Sequence, residues 1–239
     1  MNIEGRNAVS EAIKSGATIE SLLVEKGTNH SIVALARQNG IKVQFVERNV
    51  LDKISVTKKH QGFIAKVTSF EYSEVEDILA VAKERGEDEF VVMLDGVEDP
   101  HNLGSILRVC ECAGVHGVII PKNRAVGVNE TVVKTSAGAS NYVKVARVTN
   151  LANTIDDLKK AGLWVYAADM DGADIYATDL RGRMCLVVGG EGKGVGRLVK
   201  ERCDGVVALP TLGKVNSLNA SVACGVTVYE ILRQRAGKK

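Results

Sequence analysis

Three segments of the chain carry side chains that could bind a ligand or accept a proton. Asn102 and Arg108 lie in LDGVEDPHNLGSILR, and Glu191 lies in VVGGEGKGVG. Ser217 and Asn219 lie in ALPTLGKVNSLNAS. A carboxylate can accept a proton, amides and hydroxyls can orient a ligand, and a guanidinium can bind a phosphate through two parallel hydrogen bonds.

Ordinary structural roles are open to the same side chains. Asn102 stands near the start of a predicted helix and could cap it, and Arg108 could extend from an apolar helix into solvent. Ser217 or Asn219 could cap the last helix, ASVACGVTVYEILRQR. Because a helix N-terminus also offers free N–H groups to an anion, capping and ligand binding are compatible there.

The glycine-rich segment VVGGEGKGVG fails both common nucleotide-binding patterns. Frames that begin at Gly189, Gly190 or Gly192 do not give G-x-G-x-x-G, and Lys193 is followed by glycine where Walker A needs Ser or Thr. A dinucleotide-type site and a P-loop are therefore not predicted. The glycines still permit close approach of the backbone to a ligand beside Glu191.

The elements that would position these residues alternate between strands and helices. From residue 90 onward the apolar runs FVVMLDGV, GVIIP, LWVYAA, CLVVGG and GVVALP alternate with helical patterns such as NTIDDLKKAG. This alternation predicts a mostly parallel sheet covered on both faces. Ligands of such sheets bind beyond the carboxyl ends of the strands, so we expect all three segments at one edge.

The first 70 residues predict a separate small α/β unit. Helical patterns (GRNAVSEAIKSG, NHSIVALARQNG) alternate with extended ones (SLLVEKG, KVQFV, HQGFIAKVTSF). Residues 71–89 carry 2 Lys/Arg against 8 Asp/Glu, and the helix VEDILAVAKER within them looks like part of an acidic linker. Residues 1–70 (10 against 6) and 90–239 (19 against 15) are mildly basic, which fits a polyanionic partner or an ordinary solvated surface.

Composition argues against a metal site and a membrane span. The five cysteines form no C-x-x-C pair and the four histidines form no H-E-x-x-H, so no protein-held metal is expected. No apolar run approaches the roughly 20 residues of a membrane helix, and MNIEGRNAV lacks the pattern of a signal peptide. We therefore expect a soluble cytoplasmic protein.

Taken in order, the segments resemble a known family. LDGVEDPHNLGSILR, LVVGGEGKGV and LPTLGKVNSLNASVACG are similar to the three motifs of the SpoU (TrmH-type) branch of the SPOUT RNA 2'-O-methyltransferases, over residues 91–235. GRNAV and HQGFIAKV resemble the L30e-like substrate-binding domain of the 23S rRNA guanosine 2'-O-methyltransferase subgroup. The usual third motif reads SLNVS where this chain has SLNAS, a departure at Ala220.

The resemblance implies an architecture and a domain plan. The fold would be α/β, a SPOUT-type parallel sheet with a C-terminal trefoil knot, preceded by a small L30e-like α/β domain. Residues 1–70 would bind RNA, residues 71–89 would be the acidic linker, and residues 90–239 would form the methyltransferase domain with the knotted cofactor pocket. The protein would work as a homodimer.

Site residues follow from the resemblance position by position. The implied catalytic residues are Asn102, Arg108, Glu191, Ser217 and Asn219. The implied contacts of the cofactor S-adenosylmethionine are Gly189, Leu209 and Leu218. Because a guanidinium is a poor general base, we expect Arg108 to hold a phosphate, while Glu191 either accepts the proton or orients a partner. The sulfonium makes the methyl group electrophilic, so the reaction requires no metal.

The implied partner is large-subunit rRNA, bound mainly through charge and shape because only 4% of residues are aromatic. Candidate RNA contacts are Arg6, Lys58, Lys59, His60 and Gln61 in the first domain and Lys122 and Arg124 after GVIIP. A tRNA ribose methyltransferase of the same family is the alternative enzyme. A non-catalytic RNA-binding protein of ribosome assembly is the alternative from another class.

Overall fold

The computed structural model describes residues 2–15, 17–28, 30–67, 70–192, 194–214 and 217–237. Lys193, the lysine compared with the Walker A pattern, lies outside the described residues. The chain divides into two compact units, Met1–Glu71 and Tyr72–Lys239.

The first unit is an α/β fold with one mixed sheet in the order β1-β4-β2-β3. Strand β2 pairs with β3 in parallel and with β4 antiparallel, and β1 pairs antiparallel with β4. The elements are β1 (Asn2–Glu4), α1 (Arg6–Lys14), β2 (Ile19–Glu25), α2 (Ser31–Gln38), β3 (Lys42–Val46), α3 (Arg48–Ile54) and β4 (Phe63–Val67). Sequence patterns had not indicated β1 or α3.

Helix α1 packs on this sheet because its apolar residues share one face. Val9, Ala12 and Ile13 are spaced i, i+3 and i+4, and all three are buried. They join the core formed by residues such as Leu22 and Phe63 from the strands, both of which have no exposed surface. The small unit therefore has a hydrophobic core of its own.

A carboxylate at the end of β1 holds the segment that follows α3. Glu4 accepts hydrogen bonds from the Ser55 hydroxyl (2.7 Å), the Val56 N–H (2.7 Å) and both the N–H and the hydroxyl of Thr57. These hydrogen bonds lower the pKa of Glu4 from 4.5 to about 2, and the bond from the Thr57 hydroxyl has the largest effect. Glu4 thus fixes the start of the loop that leads to Lys58.

We expect Glu4→Gln to destabilise the protein near neutral pH and to lose that effect in acid. A depressed carboxyl pKa stabilises the fold above the unfolded value and stops doing so as the pH falls from about 4.5 toward about 2. Thermal unfolding of the full chain should show a loss of about 1 kcal/mol at pH 7 that shrinks steadily below pH 4.5. Glu11→Gln, which removes only an exposed pair with Lys14, is the matched control. A Glu4→Gln difference that stays constant down to pH 3 would contradict this assignment.

The second unit contains the predicted parallel sheet. Its strand order is β10-β8-β9-β5-β6-β7, and every adjacent pair is parallel. The strands are β5 (Phe90–Asp95), β6 (Gly117–Pro121), β7 (Lys144–Val148), β8 (Trp164–Asp174), β9 (Met184–Gly189) and β10 (Gly205–Ala208). The helices are α4 (Val75–Arg85), α5 (Pro100–Cys112), α6 (Glu130–Thr135), α7 (Leu151–Lys160), α8 (Arg197–Arg202) and α9 (Ala220–Ala236), with short 3-10 turns at Ala139–Asn141 and Ile175–Ala177.

Both faces of this sheet are covered, which explains its continuous apolar strands. In β5 the side chains of Val91 and Met93 face a core that includes residues of α4 and α7. Val92 and Leu94 are equally buried, and alternation along a strand places them on the opposite face, where α5 and α9 pack. A parallel strand buried on both faces needs apolar residues at every position.

Residues 72–89 are part of the second unit, so the prediction of a free acidic linker is wrong. Ile78 and Ala82 of α4 are fully buried, and Ile78 packs directly over Gly117 of β6. The Ser73 N–H also donates to the Val145 carbonyl at 2.9 Å. Apolar residues at i, i+3 and i+7 give α4 one buried face, while its acidic residues lie on the other.

Within the described part of the chain, the structure holds no helix long and apolar enough to span a bilayer. The same residues form no group of three or more His, Cys, Asp or Glu side chains that could bind a metal ion.

Candidate active site

The three polar segments meet at the carboxyl edge of the sheet, as predicted. The Asn102 amide donates to Glu191 Oε1 at 2.9 Å, and the Asn219 amide donates to the same oxygen at 2.8 Å. Asn219 also donates to Asn102 Oδ1 at 3.0 Å. One residue from each segment therefore takes part in a closed hydrogen-bonded triad.

Asn219 both caps α9 and belongs to this triad. Its Oδ1 accepts from the Ser221 N–H (2.9 Å), the Ser221 hydroxyl (2.6 Å) and the Val222 N–H (3.3 Å). Since the oxygen is committed to the helix N-terminus, the NH₂ group must point toward Glu191 and Asn102. The oxygen of this amide therefore caps the helix, and its nitrogen belongs to the candidate site. Both roles had been considered from the sequence.

The two carboxylate oxygens of Glu191 differ in their hydrogen bonds. Its Oε1 accepts both amide hydrogen bonds, whereas Oε2 has no hydrogen-bond partner among the residues that the structure describes. The side chain is exposed and lines a cavity. An oriented carboxylate with one open oxygen can accept a proton from a ligand hydroxyl.

Two glycines allow the Glu191 loop to fold tightly and to lie against the loop between β5 and α5. A Cβ atom on Gly190 would lie 2.0 Å from the Gly96 carbonyl oxygen, and one on Gly189 would lie 2.1 Å from the Gly194 carbonyl carbon. The end of β5 then holds the loop, because the Asp95 carboxylate accepts the Gly196 N–H at 2.7 Å. Larger residues at either glycine would push Glu191 away from Asn102.

A cavity of about 440 Å³ opens beside the triad, within the usual size range of small-ligand sites. Its walls come from the middle of β8, the ends of β9 and β10, the segment before α9 and the small residues of α9 itself. The three predicted cofactor contacts, Gly189, Leu209 and Leu218, all line it. Ser217 lines it as well, with an exposed side chain.

Two families of known sequences match this chain. Residues 89–229, more than half of the chain, match the SpoU rRNA Methylase family. Residues 2–73 match a domain described as RNA 2'-O ribose methyltransferase substrate binding. The chain belongs to the SpoU rRNA methylase family. As a member of it, the protein is an RNA methyltransferase.

Relatives and solved structures agree with this family. The TrmH family protein YacO of Bacillus subtilis (strain 168), whose name gives tRNA/rRNA as its substrate class, is 46% identical over 97% of this chain and 94% of its own length. The AdoMet-bound rRNA methyltransferase from Sinorhizobium meliloti is 25% identical, with a TM-score of 0.62 over 97% of this chain and 86% of that one. The AdoMet complex of the SpoU methyltransferase AviRb from Streptomyces viridochromogenes, 23% identical, shares the fold with a TM-score of 0.63 over 99% and 91%.

Arg108 of this SpoU-family chain lies outside the triad. It follows Asn102 by six residues on α5, so its side chain points about 120° away around the helix axis. The guanidinium is exposed and makes no hydrogen bond or ion pair with the residues described. It is available to a ligand that approaches along α5.

His60 does not fit its predicted role as an RNA contact. Only 1% of its surface is exposed. Its Nδ1 accepts the Gly62 N–H at 3.0 Å, so in the neutral ring Nε2 carries the proton and donates to Asp52 at 2.9 Å. His60 therefore stabilises the loop between α3 and β4 from its buried side. The sequence interpretation had assumed that His60 lies on the surface.

The other predicted RNA contacts are exposed. Those in the first unit are Arg6, Lys58, Lys59 and Gln61. At the start of α1, Gln61 Oε1 accepts the Arg6 N–H at 3.1 Å. Lys58 and Gln61 have φ of 57° and 51°, a left-handed conformation that non-glycine residues adopt mainly under local constraint.

The remaining predicted RNA contacts, Lys122 and Arg124, are exposed in the second unit. They follow β6 and so lie at the same sheet edge as the triad. Arg124 also has a left-handed backbone, with φ of 57°.

Sequence patterns missed one wall of the cavity. Asp169 and Met170 line it, although the predicted strand LWVYAA stopped at Ala168. The polar run DMDGAD directly after an apolar run, at the expected ligand edge, is the signal that could have revealed this wall.

Proposed function

We propose that the protein transfers a methyl group from S-adenosylmethionine to the 2'-hydroxyl of a guanosine ribose in 23S rRNA. The observation that carries the proposal is the open Oε2 of Glu191, held by Asn102 and Asn219 at the edge of the cavity. The match of residues 2–73 to a 2'-O ribose methyltransferase substrate-binding domain supports the ribose as the acceptor.

The residues of the cavity suit S-adenosylmethionine. Its size is adequate, and Leu209 and Leu218 offer apolar surface while the glycine loop exposes backbone polar groups. The structures of AviRb and of the Sinorhizobium meliloti rRNA methyltransferase both contain AdoMet. When bound, the cofactor supplies an electrophilic methyl group. We also propose that the segments forming this pocket are tied in the deep trefoil knot implied by the family resemblance.

Glu191 is the proton acceptor in this proposal. Its Oε2 would receive the hydrogen bond of the ribose 2'-hydroxyl and then its proton, while the methyl group passes from the sulfonium sulfur, which leaves as a neutral thioether, to that hydroxyl oxygen. Asn102 and Asn219 keep the carboxylate in one orientation, so little reorganisation is needed at the moment of reaction. The Ser217 hydroxyl can hydrogen-bond to a bound ligand from the cavity wall.

Arg108 binds RNA rather than a proton. A guanidinium stays protonated at neutral pH and matches a phosphate with two donors, so we assign it the phosphate next to the reactive ribose. Lys122 and Arg124 extend the RNA-binding surface that begins at Arg108. A second RNA-binding surface, on the L30e-like unit, is formed by Arg6, Lys58, Lys59 and Gln61. With rRNA as the substrate, we propose that the protein acts in the cytoplasm.

A tRNA ribose is the second candidate acceptor, because the name of YacO includes both tRNA and rRNA. A deletion strain complemented with wild-type protein or with the Arg108→Ala variant distinguishes the rRNA acceptor from the tRNA acceptor. Primer extension at low deoxynucleotide concentration should show a stop in 23S rRNA that depends on wild-type protein and is lost with the variant. Loss of a tRNA modification instead would defeat the rRNA proposal, and full restoration by Arg108→Ala would defeat the role of that residue.

We propose a homodimer in which α9 contributes to the interface. Val222, Val226 and Tyr229 follow one another at i, i+4 and i+7 and remain 50%, 39% and 49% exposed. Exposed apolar stripes of this kind are typical of association surfaces.

Val226→Glu should therefore weaken self-association about 100-fold or more, since it places a charge in an apolar contact. Sedimentation equilibrium at micromolar concentration measures the change. Leu198→Glu, at a 64% exposed position on α8, is the control. An active wild-type protein that sediments as a monomer would overturn the dimer.

A further inference from the structure

Strand β8 bulges away from β10 beside the cavity. In its parallel pairing with β10, Val206 lies opposite Ala167, but the next residue, Val207, lies opposite Ala173. Residues 168–172 therefore leave the ladder with β10, although Ala168 still pairs with Val188 of β9. Three of them, Ala168, Asp169 and Met170, line the cavity.

Lys200 of α8 holds this bulge. Its Nζ lies 2.6 Å from Asp169 Oδ2 and 3.1 Å from Asp171 Oδ1. The side chains of Lys200 and Asp169 are only 25% and 16% exposed, so solvent screens their attraction less than that of a surface pair. One ammonium group thus joins two carboxylates of the bulge to a helix outside the sheet.

Asp169 also contacts the loop that carries Glu191. Its carboxylate accepts a backbone hydrogen bond from Val195, and its Oδ2 lies 3.1 Å from where a Cβ on Gly194 would stand. Burial raises the pKa of Asp169, but the hydrogen bonds from Lys200 and the backbone outweigh burial and leave the pKa below its ordinary value. The pair is therefore ionised at neutral pH.

We propose that Lys200 and Asp169 are positioning residues, which hold the bulge against the Glu191 loop and thereby set both cofactor affinity and the placement of Glu191. Lys200 does not line the cavity, so it acts through Asp169 and the backbone. The inference rests on the proposed function in one respect only, namely that S-adenosylmethionine occupies this cavity.

The test compares four variants of the full-length protein, with S-adenosylmethionine as the probe. Lys200→Met should raise the Kd measured by calorimetry about tenfold and should lower the single-turnover rate at saturating cofactor by a similar factor. Lys200→Arg, which retains the charge, should restore both to within about threefold. Asp169→Asn should match Lys200→Met, and the double variant should be no worse than either, because both substitutions break one link.

Lys159→Met is the matched control. It removes an ion pair of similar length, Lys159 to Asp204 at 2.7 Å, from the amino edge of the same strands. We expect it to lower thermal stability without changing the Kd.

Two results would overturn the proposal. A Kd for Lys200→Met within twofold of wild type, with only the melting temperature reduced, would make the pair merely structural. Weakened binding by Asp169→Asn but not by Lys200→Met would show that Asp169 contacts the cofactor directly. Because the affinity measurement needs no RNA, it decides this inference even if the proposed nucleotide is wrong.

Discussion

Replacing Asn219 by alanine should lower methyl transfer to RNA by about two orders of magnitude or more, because three interactions disappear together. Alanine removes the cap of α9, the donor to Asn102 and the donor to Glu191. Losing the cap alone would cost about 1 kcal/mol of stability. The larger effect should fall on the rate, since Glu191 would keep one of its two orienting hydrogen bonds. Single-turnover transfer at saturating cofactor measures it.

Asn219→Asp separates the cap from the triad. Aspartate is a good N-cap residue, so the melting temperature should stay near the wild-type value. It cannot donate a hydrogen bond, and it places a second negative charge beside Glu191, so the rate should fall as far as with alanine. Asn150→Ala, which removes the cap of α7, should reduce stability and leave the rate unchanged. An Asn219→Asp protein with full activity would contradict the role given to the amide donor.

Glu191→Gln should reduce the rate about 100-fold while leaving cofactor affinity within about twofold. Glutamine can keep a carbonyl oxygen where Oε1 accepts the two amides. At the position of Oε2 it places an NH₂ group, which cannot take a proton. The substitution thus tests proton acceptance with the hydrogen bonds of the triad largely retained.

Glu98→Gln is the control for this variant. Glu98 is an exposed carboxylate in the loop between β5 and α5, at the same edge of the sheet. Its replacement changes the local charge by the same amount without touching the triad. If Glu191→Gln retained more than about a fifth of the wild-type rate, the carboxylate would be an orienting group only.

The sequence was sufficient to predict the parallel sheet and the meeting of its three polar segments. Apolar runs at β5 and β9 require burial on both faces, and parallel strands bring their carboxyl ends to one edge. The joint role of Asn219 as cap and site residue was left open, because the choice depends on where its amide nitrogen points. Only the three-dimensional position of Glu191 decides that.

The linker prediction was wrong because acidic residues dominated the interpretation of residues 71–89. The apolar spacing of Val75, Ile78 and Ala82 already indicated a packed helix, and Ile78 has no exposed surface. His60 was misjudged for a related reason. Its neighbours Lys58 and Lys59 suggested a surface patch, whereas its hydrogen-bond partner Asp52 is eight residues away.

The polar run after LWVYAA could have indicated a cavity wall at β8, but the bulge in that wall could not be derived from local pattern. Strand periodicity predicts regular pairing, and the jump from Ala167 to Ala173 depends on how β10 lies against β8. Lys200 is 31 residues from Asp169 and 29 residues from Asp171 in the sequence. No local spacing therefore predicts these two ion pairs.

The most direct test of the account is methyl transfer from radiolabelled S-adenosylmethionine to protein-free 23S rRNA and to bulk tRNA, side by side, with wild-type protein and Asn219→Ala. We expect label in 23S rRNA, resistant to alkaline cleavage at a single guanosine and absent with the variant. Label in tRNA alone, or equal label with both proteins, would contradict the account.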